Sequence, residues 1–226
     1  MEPDQAAPTR DRPVRVWDFP TRLFHWLTVA LVAGAWATER LNWLNLHVRL
    51  GETLLALVLF RLMWGWVGSE TARFRSFVAS PAAALRHLRH LLRREPDVQV
   101  GHNPAGGWSV LLLLTLLLAE TLSGLYLYND IADEGPLSEI VPAPIANAIS
   151  AIHTYGWYVL LGAVVLHLCA IATYAIAKGH NLLLPMITGL KRLPSTIPAP
   201  SRASLWLAAL LLAFSATIVV LLATYL

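Results

Sequence analysis

The stretch HTYGWYVLLGAVVLH, residues 153–167, decides how this chain is read. It opens and closes on histidine and carries no charged side chain between them. In a helix, fourteen residues make about 3.9 turns and roughly 21 Å of rise, so both imidazoles lie on one face near opposite ends of an apolar rod. Inside a bilayer such side chains are costly, and a functional role is the default reading.

The surrounding chain is apolar enough to make that bilayer real. Of 226 residues, 56% are hydrophobic and 14% charged, with nine Trp and a mean hydropathy of +0.55. A soluble domain carries about a quarter charged residues, so a disordered, collagenous or soluble cytosolic protein is excluded. The single Cys169 excludes an internal disulfide framework, Cys-rich metal or iron–sulfur sites, and covalent Cys-x-x-Cys-His haem attachment. Five stretches approach the roughly 20 residues a spanning helix needs: Leu23–Leu44, His47–Val67, Trp108–Tyr128, Tyr155–Ala177 and Ala203–Leu226. The polar, Pro-broken, arginine-bearing first twenty residues do not read as a secretory signal peptide.

Fourteen of the seventeen Lys and Arg lie in the N-terminal tail, the loop Gly68–Gly107, or the segment Lys178–Arg202, all on one side of a five-span chain. The opposite loop carries Asp130, Asp133, Glu134 and Glu139 with no base. The positive-inside rule then predicts a multi-pass protein of the bacterial inner membrane, N-terminus cytoplasmic and C-terminus periplasmic. Net charge +3 is a topology signal, and no nucleic-acid partner is expected. Ala82–Arg94 alternates Leu with Arg and His at helical spacing and reads as an amphipathic helix on the anionic leaflet. Turns are expected at Gly101–Pro104, Gly135–Pro136 and Pro142–Pro144, and the Trp and Tyr near span ends (Trp17, Trp26, Trp43, Trp64, Trp66, Trp108, Trp157) read as interfacial belts.

Topology supplies each histidine of the opening stretch with a partner. His47 starts a span parallel to that of His153 and is level with it, while His25, near the start of an antiparallel span, falls toward His167. Two imidazole pairs at two depths suit two porphyrins, the inner iron held by His25 and His167 and the outer by His47 and His153. Without Cys ligation these are non-covalent haem b. Interfacial, hydrogen-bonded histidines are the competing reading. Arg61 follows His47 by the same fourteen residues and is a candidate partner for an inner haem propionate, with snorkelling to headgroups as its alternative; Arg49 stands likewise for the outer haem, or as an interfacial charge. Gly51 leaves room for a flat macrocycle or for helix packing. Glu120, deep in its span, reads as protonated, paired with Arg49, or proton-handling. His87 and His90 read as solvated, and His102 and His180 as turn or cap residues.

The segments RVWDFPTRLFHW (15–26), RLMWGWVGSETARFRSF (61–77), GHNPAGGW (101–108) and 153–167 resemble the bacterial cytochrome b561 family, nearest its branch shared with the b-type cytochrome subunit of nickel–iron hydrogenases. The resemblance runs from about Arg15 to Arg192. It implies four helices holding two b haems, with His25, His47, His153 and His167 at the family's ligand positions. The short loop between spans 1 and 2 departs from many hydrogenase subunits. The fifth span lies outside the resembling core, as a clamp for a partner helix or an extra anchor.

The expected fold is thus an all-α integral membrane four-helix bundle with two b haems plus a fifth C-terminal helix. Its parts are a cytoplasmic tail (1–22), the cytochrome domain (23–192, with cytoplasmic loop 68–107), a linker (193–202) and the fifth span (203–226). The expected function is electron transfer between the quinone pool and a redox partner, a c-type cytochrome or periplasmic oxidoreductase subunit docking on the acidic loop. Quinone contacts are expected from Arg22, His102 and Asn103. The chain is not expected to be catalytic alone, and a homodimer is open. Competing readings are a hydrogenase anchor, a superoxide:quinone oxidoreductase, and a haem-free anchor or metal transporter.

Overall fold

The computed structural model describes residues 11–91, 93, 97–127 and 142–225. The acidic loop Asp130–Glu139, Arg10 and Arg94 lie outside them. In chain order the elements are β1 (Asp11–Arg15), α1 (Phe19–Arg40), α2 (Leu44–Val67), a 3-10 turn (Glu70–Ala72), α3 (Phe74–Phe77), α4 (Pro81–Arg89), α5 (Pro104–Gly124), α6 (Ala143–Thr173) continuing as a π-helical turn (Tyr174–Lys178), α7 (Leu183–Thr188), β2 (Leu190–Pro194) and α8 (Leu205–Tyr225).

Among the described residues, four helices are long and apolar enough to cross a membrane: Leu44–Val67, Pro104–Gly124, Pro144–Lys178 and Leu205–Thr224. Five were expected. The first, α1, is a full 22-residue helix, but Arg22, Glu39 and Arg40 dilute its apolar run. Its start is fixed by Asp18, whose Oδ1 accepts the Thr21 N–H at 2.7 Å, with Pro20 in the first turn where a missing N–H costs nothing. It ends at Arg40 with Leu41 as its C-cap, and the chain turns away at Asn42, which takes a left-handed φ of 57° that Asn tolerates better than most residues. α6 begins at Ala143, well before the expected Tyr155, because Pro142 and Pro144 act as a helix start instead of a free turn.

The bundle centres on α2. Leu54 and Val58 pack with Leu117 of α5, Leu160 of α6 and partly buried Leu31 and Val32 of α1. α8 runs antiparallel along another side of α2, with Ala208 near Phe60 and Trp64 and Val219 near Leu55 and Ala56. Exposed Val165, Leu166, Leu168 and Ile176 leave α6 an apolar surface suited to acyl chains.

An element the helical pattern did not signal closes the basic end. β1 pairs antiparallel with β2, Asp11 opposite Pro194 through Arg15 opposite Leu190. Both are edge strands, so Pro13 and Pro194 are tolerated. Val14, Val16, Trp17 and Leu193 form a small core there. Thr71 donates to the Val16 carbonyl at 2.6 Å, Arg22 to the Ile187 carbonyl at 2.6 Å, and Ser201 N–H to Glu70 Oε2 at 2.8 Å. Tail, ETARF loop, α7 and the start of α8 therefore knit into one cap. Glu70 is held below the usual glutamate range by the Ser201 hydrogen bonds, aided by Arg73.

Candidate functional site

At the end opposite the cap, α1, α2, α5 and α6 enclose a cavity of about 320 Å³ lined by Val32, Ala35, Gly51, Leu54, Thr121, Gly124, Trp157 and Leu160, with His47 and His153 in its wall. The two imidazoles have centroids 6.3 Å apart and planes at 88°. Two imidazoles on opposite faces of one metal, each at about 2.0–2.1 Å from it, put their centroids roughly 6 Å apart. The spacing thus suits two imidazoles that would hold one metal between them.

Backbone carbonyls fix which nitrogens face the cavity. His47 Nδ1 lies 2.9 Å from the Ala35 carbonyl, and His153 Nδ1 lies 2.9 Å from that of Glu120. Each carbonyl takes an N–H, leaving Nε2 as the unprotonated ligand atom, the usual second-shell arrangement of a metal-bound histidine. Glycines keep the space flat. A Cβ on Gly51 would meet nothing within 4 Å, while one on Gly124 would sit 3.1 Å from the His153 ring. The donor set, the cradle and the apolar wall fit a haem.

The second pair lies toward the cap. Burial keeps His25 half-hidden, near enough to His167 for the two to interact electrostatically, and its Nδ1 is shielded with no hydrogen-bond partner. Among the described residues no carbonyl fixes either ring as Ala35 and Glu120 fix the outer pair. Arg61 is 2% exposed, so the snorkelling alternative fails. Its guanidinium carbon lies 5.4 Å from the Phe74 ring centroid, it faces Asp18, and its NH1 lacks a partner. A buried cation with a free donor fits an anionic group such as a propionate.

Asp18 organises this end. Besides capping α1, its Oδ2 accepts the Trp64 Nε1–H at 3.1 Å. Trp64 and Trp17 are buried, not interfacial as the sequence suggested, because polar partners and the β-ribbon core replace the headgroup region. Gly65 makes room for Phe74: a Cβ there would sit 2.2 Å from the ring.

Other expected residues divide. Arg49 has a side chain 75% exposed and pairs with Glu52 at 3.1 Å, not with Glu120. Glu120 lines the cavity with Oε1 3.6 Å from His153 Nδ1. Asn103 is spent as the N-cap of α5, accepting from Gly106 at 2.7 Å, while Arg22 is tied to α7. His102 is no cap. Its ring sits between Trp17 and Phe77, each centroid 4.6 Å away, and its Nδ1 is shielded without a partner although some ring area stays exposed. Burial, then the Arg61 charge and the neighbouring His167, push its pKa down to about 3, so the ring is neutral. His87 is not solvated: its Nε2 meets the Tyr174 hydroxyl at 2.5 Å, while His90 is exposed as expected. His180 N–H donates to the Tyr174 carbonyl, closing α6 in a turn as expected.

The spanning helices and the imidazole-walled cavity define a multi-pass membrane protein with a histidine-lined pocket. The family model for prokaryotic cytochrome b561 matches residues 16–189, and the chain belongs to that family. A protein of Rhizobium leguminosarum bv. viciae described as a probable Ni/Fe-hydrogenase B-type cytochrome subunit is 26% identical over 211 residues, covering 78% of this chain and 87% of that relative. No solved structure matches. The chain is therefore a membrane b-type cytochrome of electron transfer.

Proposed function

We propose that the chain is a transmembrane di-haem cytochrome b that passes electrons between the quinone pool and a redox partner on the periplasmic side. The carrying observation is the His47–His153 pair, spaced for one metal, with His25 and His167 near enough to interact electrostatically at the other end of α6. A haem held by these imidazoles would supply single-electron exchange. The chain's own contribution is orientation and field. Ala35 and Glu120 carbonyls hold the outer imidazoles in one tautomer, Arg61 offers its free donor to a propionate of the inner haem, and the Leu and Val shell excludes water.

In this reading α1 also spans, since 22 residues reach about 33 Å and it packs along α2. That gives five spans, the basic cap in the cytoplasm and the C-terminus in the periplasm, with the acidic loop facing a partner. Of the quinone candidates, Arg22 and Asn103 position the cap, and His102 keeps a free nitrogen near the inner pair. A second reading, the membrane anchor of a nickel–iron hydrogenase, is favoured by the Rhizobium relative's description.

The test is quinol-driven haem reduction in inverted membrane vesicles containing the chain. Reduction of the b-type α-band by a short-chain quinol, abolished in His25→Ala, supports the quinone link. A fully assembled cytochrome inert to quinol and quinone alike contradicts it.

A further inference from the structure

Helix α4 contributes to neither histidine pair, yet its sequence is far from neutral. No Asp or Glu lies between Glu70 and Glu95, while Arg73, Arg75, Arg86, Arg89, Arg93 and Arg94 do. Ser80 caps the helix, its Oγ accepting the Ala83 N–H at 3.3 Å, with Pro81 in the first turn. Ala84 is buried, and the helix packs on α5. Leu85 and Leu88, one turn apart, stay 53% and 50% exposed, and Arg86, Arg89 and Arg93 are exposed beside them.

Two contacts set the height of α4. Ahead of it, the Ala79 carbonyl accepts the Trp108 Nε1–H at 3.0 Å, and Trp108 stands exposed near the start of the α5 span. Toward its end, His87 meets the Tyr174 hydroxyl in the π-helical turn that finishes the α6 span. A helix tied at both ends to the ends of two spans lies along the bilayer surface. The exposed indole marks the headgroup level there.

We propose that α4 is a binding site for anionic phospholipid, with Leu85 and Leu88 among the acyl chains and Arg86, Arg89 and Arg93 on the headgroup phosphates. Charge complementarity names the occupant. Among the described residues no carboxylate pairs with these three guanidinium groups, since Asp97 is taken by Lys191 and Glu70 by the Ser201 N–H. A zwitterionic headgroup brings a cation along with its phosphate and matches them less well. Each arginine close to an anionic surface is worth about a fivefold gain in affinity. The helix therefore does more than lie on the leaflet: it selects its lipid. The site needs neither haem nor quinone and stands whichever redox partner the chain serves.

The experiment reconstitutes the full chain in phosphatidylcholine bilayers, with the exposed Cys169 changed to Ala so that an introduced thiol is labelled alone. A fluorophore on Leu85→Cys is read against equal mole fractions of brominated phosphatidylglycerol or brominated phosphatidylcholine. Phosphatidylglycerol should quench with a relative binding constant at least about fivefold the higher, and high salt should reduce that preference. Arg86→Gln, Arg89→Gln and Arg93→Gln together should remove it. A label on Phe214→Cys, exposed midway along α8, should show no preference, and this comparison decides the matter if the triple variant fails to assemble. Equal quenching by the two lipids at Leu85→Cys, the same preference at Phe214→Cys, or a preference that survives the triple substitution overturns the site. A label at Leu85→Cys that neither lipid quenches also overturns it and leaves the face to a protein partner.

Discussion

Asp18 carries three duties in one carboxylate, and separating them tests how the inner end is held together. Its Oδ1 caps α1 at Thr21, its Oδ2 accepts from buried Trp64, and its charge faces buried Arg61. Asp18→Ala removes all three. Loss of the cap costs about 0.5–2 kcal/mol, and stranding the Trp64 N–H in a fully buried site costs about 1–3 kcal/mol more. Asp18→Asn keeps one acceptor oxygen, enough for the α1 cap, but sets an amide NH2 against the Trp64 N–H and loses the charge, so it spares only the cap's share of about 0.5–2 kcal/mol. The assay is thermal or denaturant unfolding of the purified holoprotein in detergent, followed through haem absorbance and helical circular dichroism. Asp18→Ala should be destabilised by about 2–5 kcal/mol and Asp18→Asn clearly less. Equal loss in both variants would leave the cap without a share and refute that duty; no loss in either would refute the whole arrangement.

Two further outcomes follow from single positions. Gly51→Ala should raise the intrinsic stability of α2 by about 0.5–1 kcal/mol and keep haem, because its Cβ meets nothing, whereas Gly51→Leu should keep the helical circular dichroism and lose haem absorbance by filling the cavity. The Glu70–Ser201 tie lowers the folded-state pKa of Glu70, so its stabilisation is present above the ordinary glutamate value and is lost as pH falls through the lower folded one. Unfolding measured against pH should show that acid-side loss in the wild type and a flatter profile in Glu70→Gln.

Composition and periodicity made most of this legible. The apolar runs that become α2, α5, α6 and α8 need no tertiary context, and helix geometry alone pairs His47 with His153, whose rings lie 6.3 Å apart. The β1–β2 ribbon was not legible, because it joins residues 11–15 to 190–194 and neither segment alone signals a partner. Asp18 could have been found: a residue of N-cap type directly ahead of Phe-Pro marks a helix start. The buried setting of His102 was not legible, since its slot is assembled from Trp17 and Phe77, which converge only in the fold. Arg49 shows the opposite failure, where correct depth was not enough because its charge is met by Glu52 one turn along.

The central claim, two haems on one chain ligated at two depths, is tested by a dithionite-reduced minus air-oxidised spectrum with haem quantified per chain, repeated for His47→Ala and His167→Ala. The account predicts a b-type α-band with two haems per wild-type chain and one lost in each variant. A single haem per chain that survives either substitution, or a colourless protein expressed with haem in supply, would contradict it.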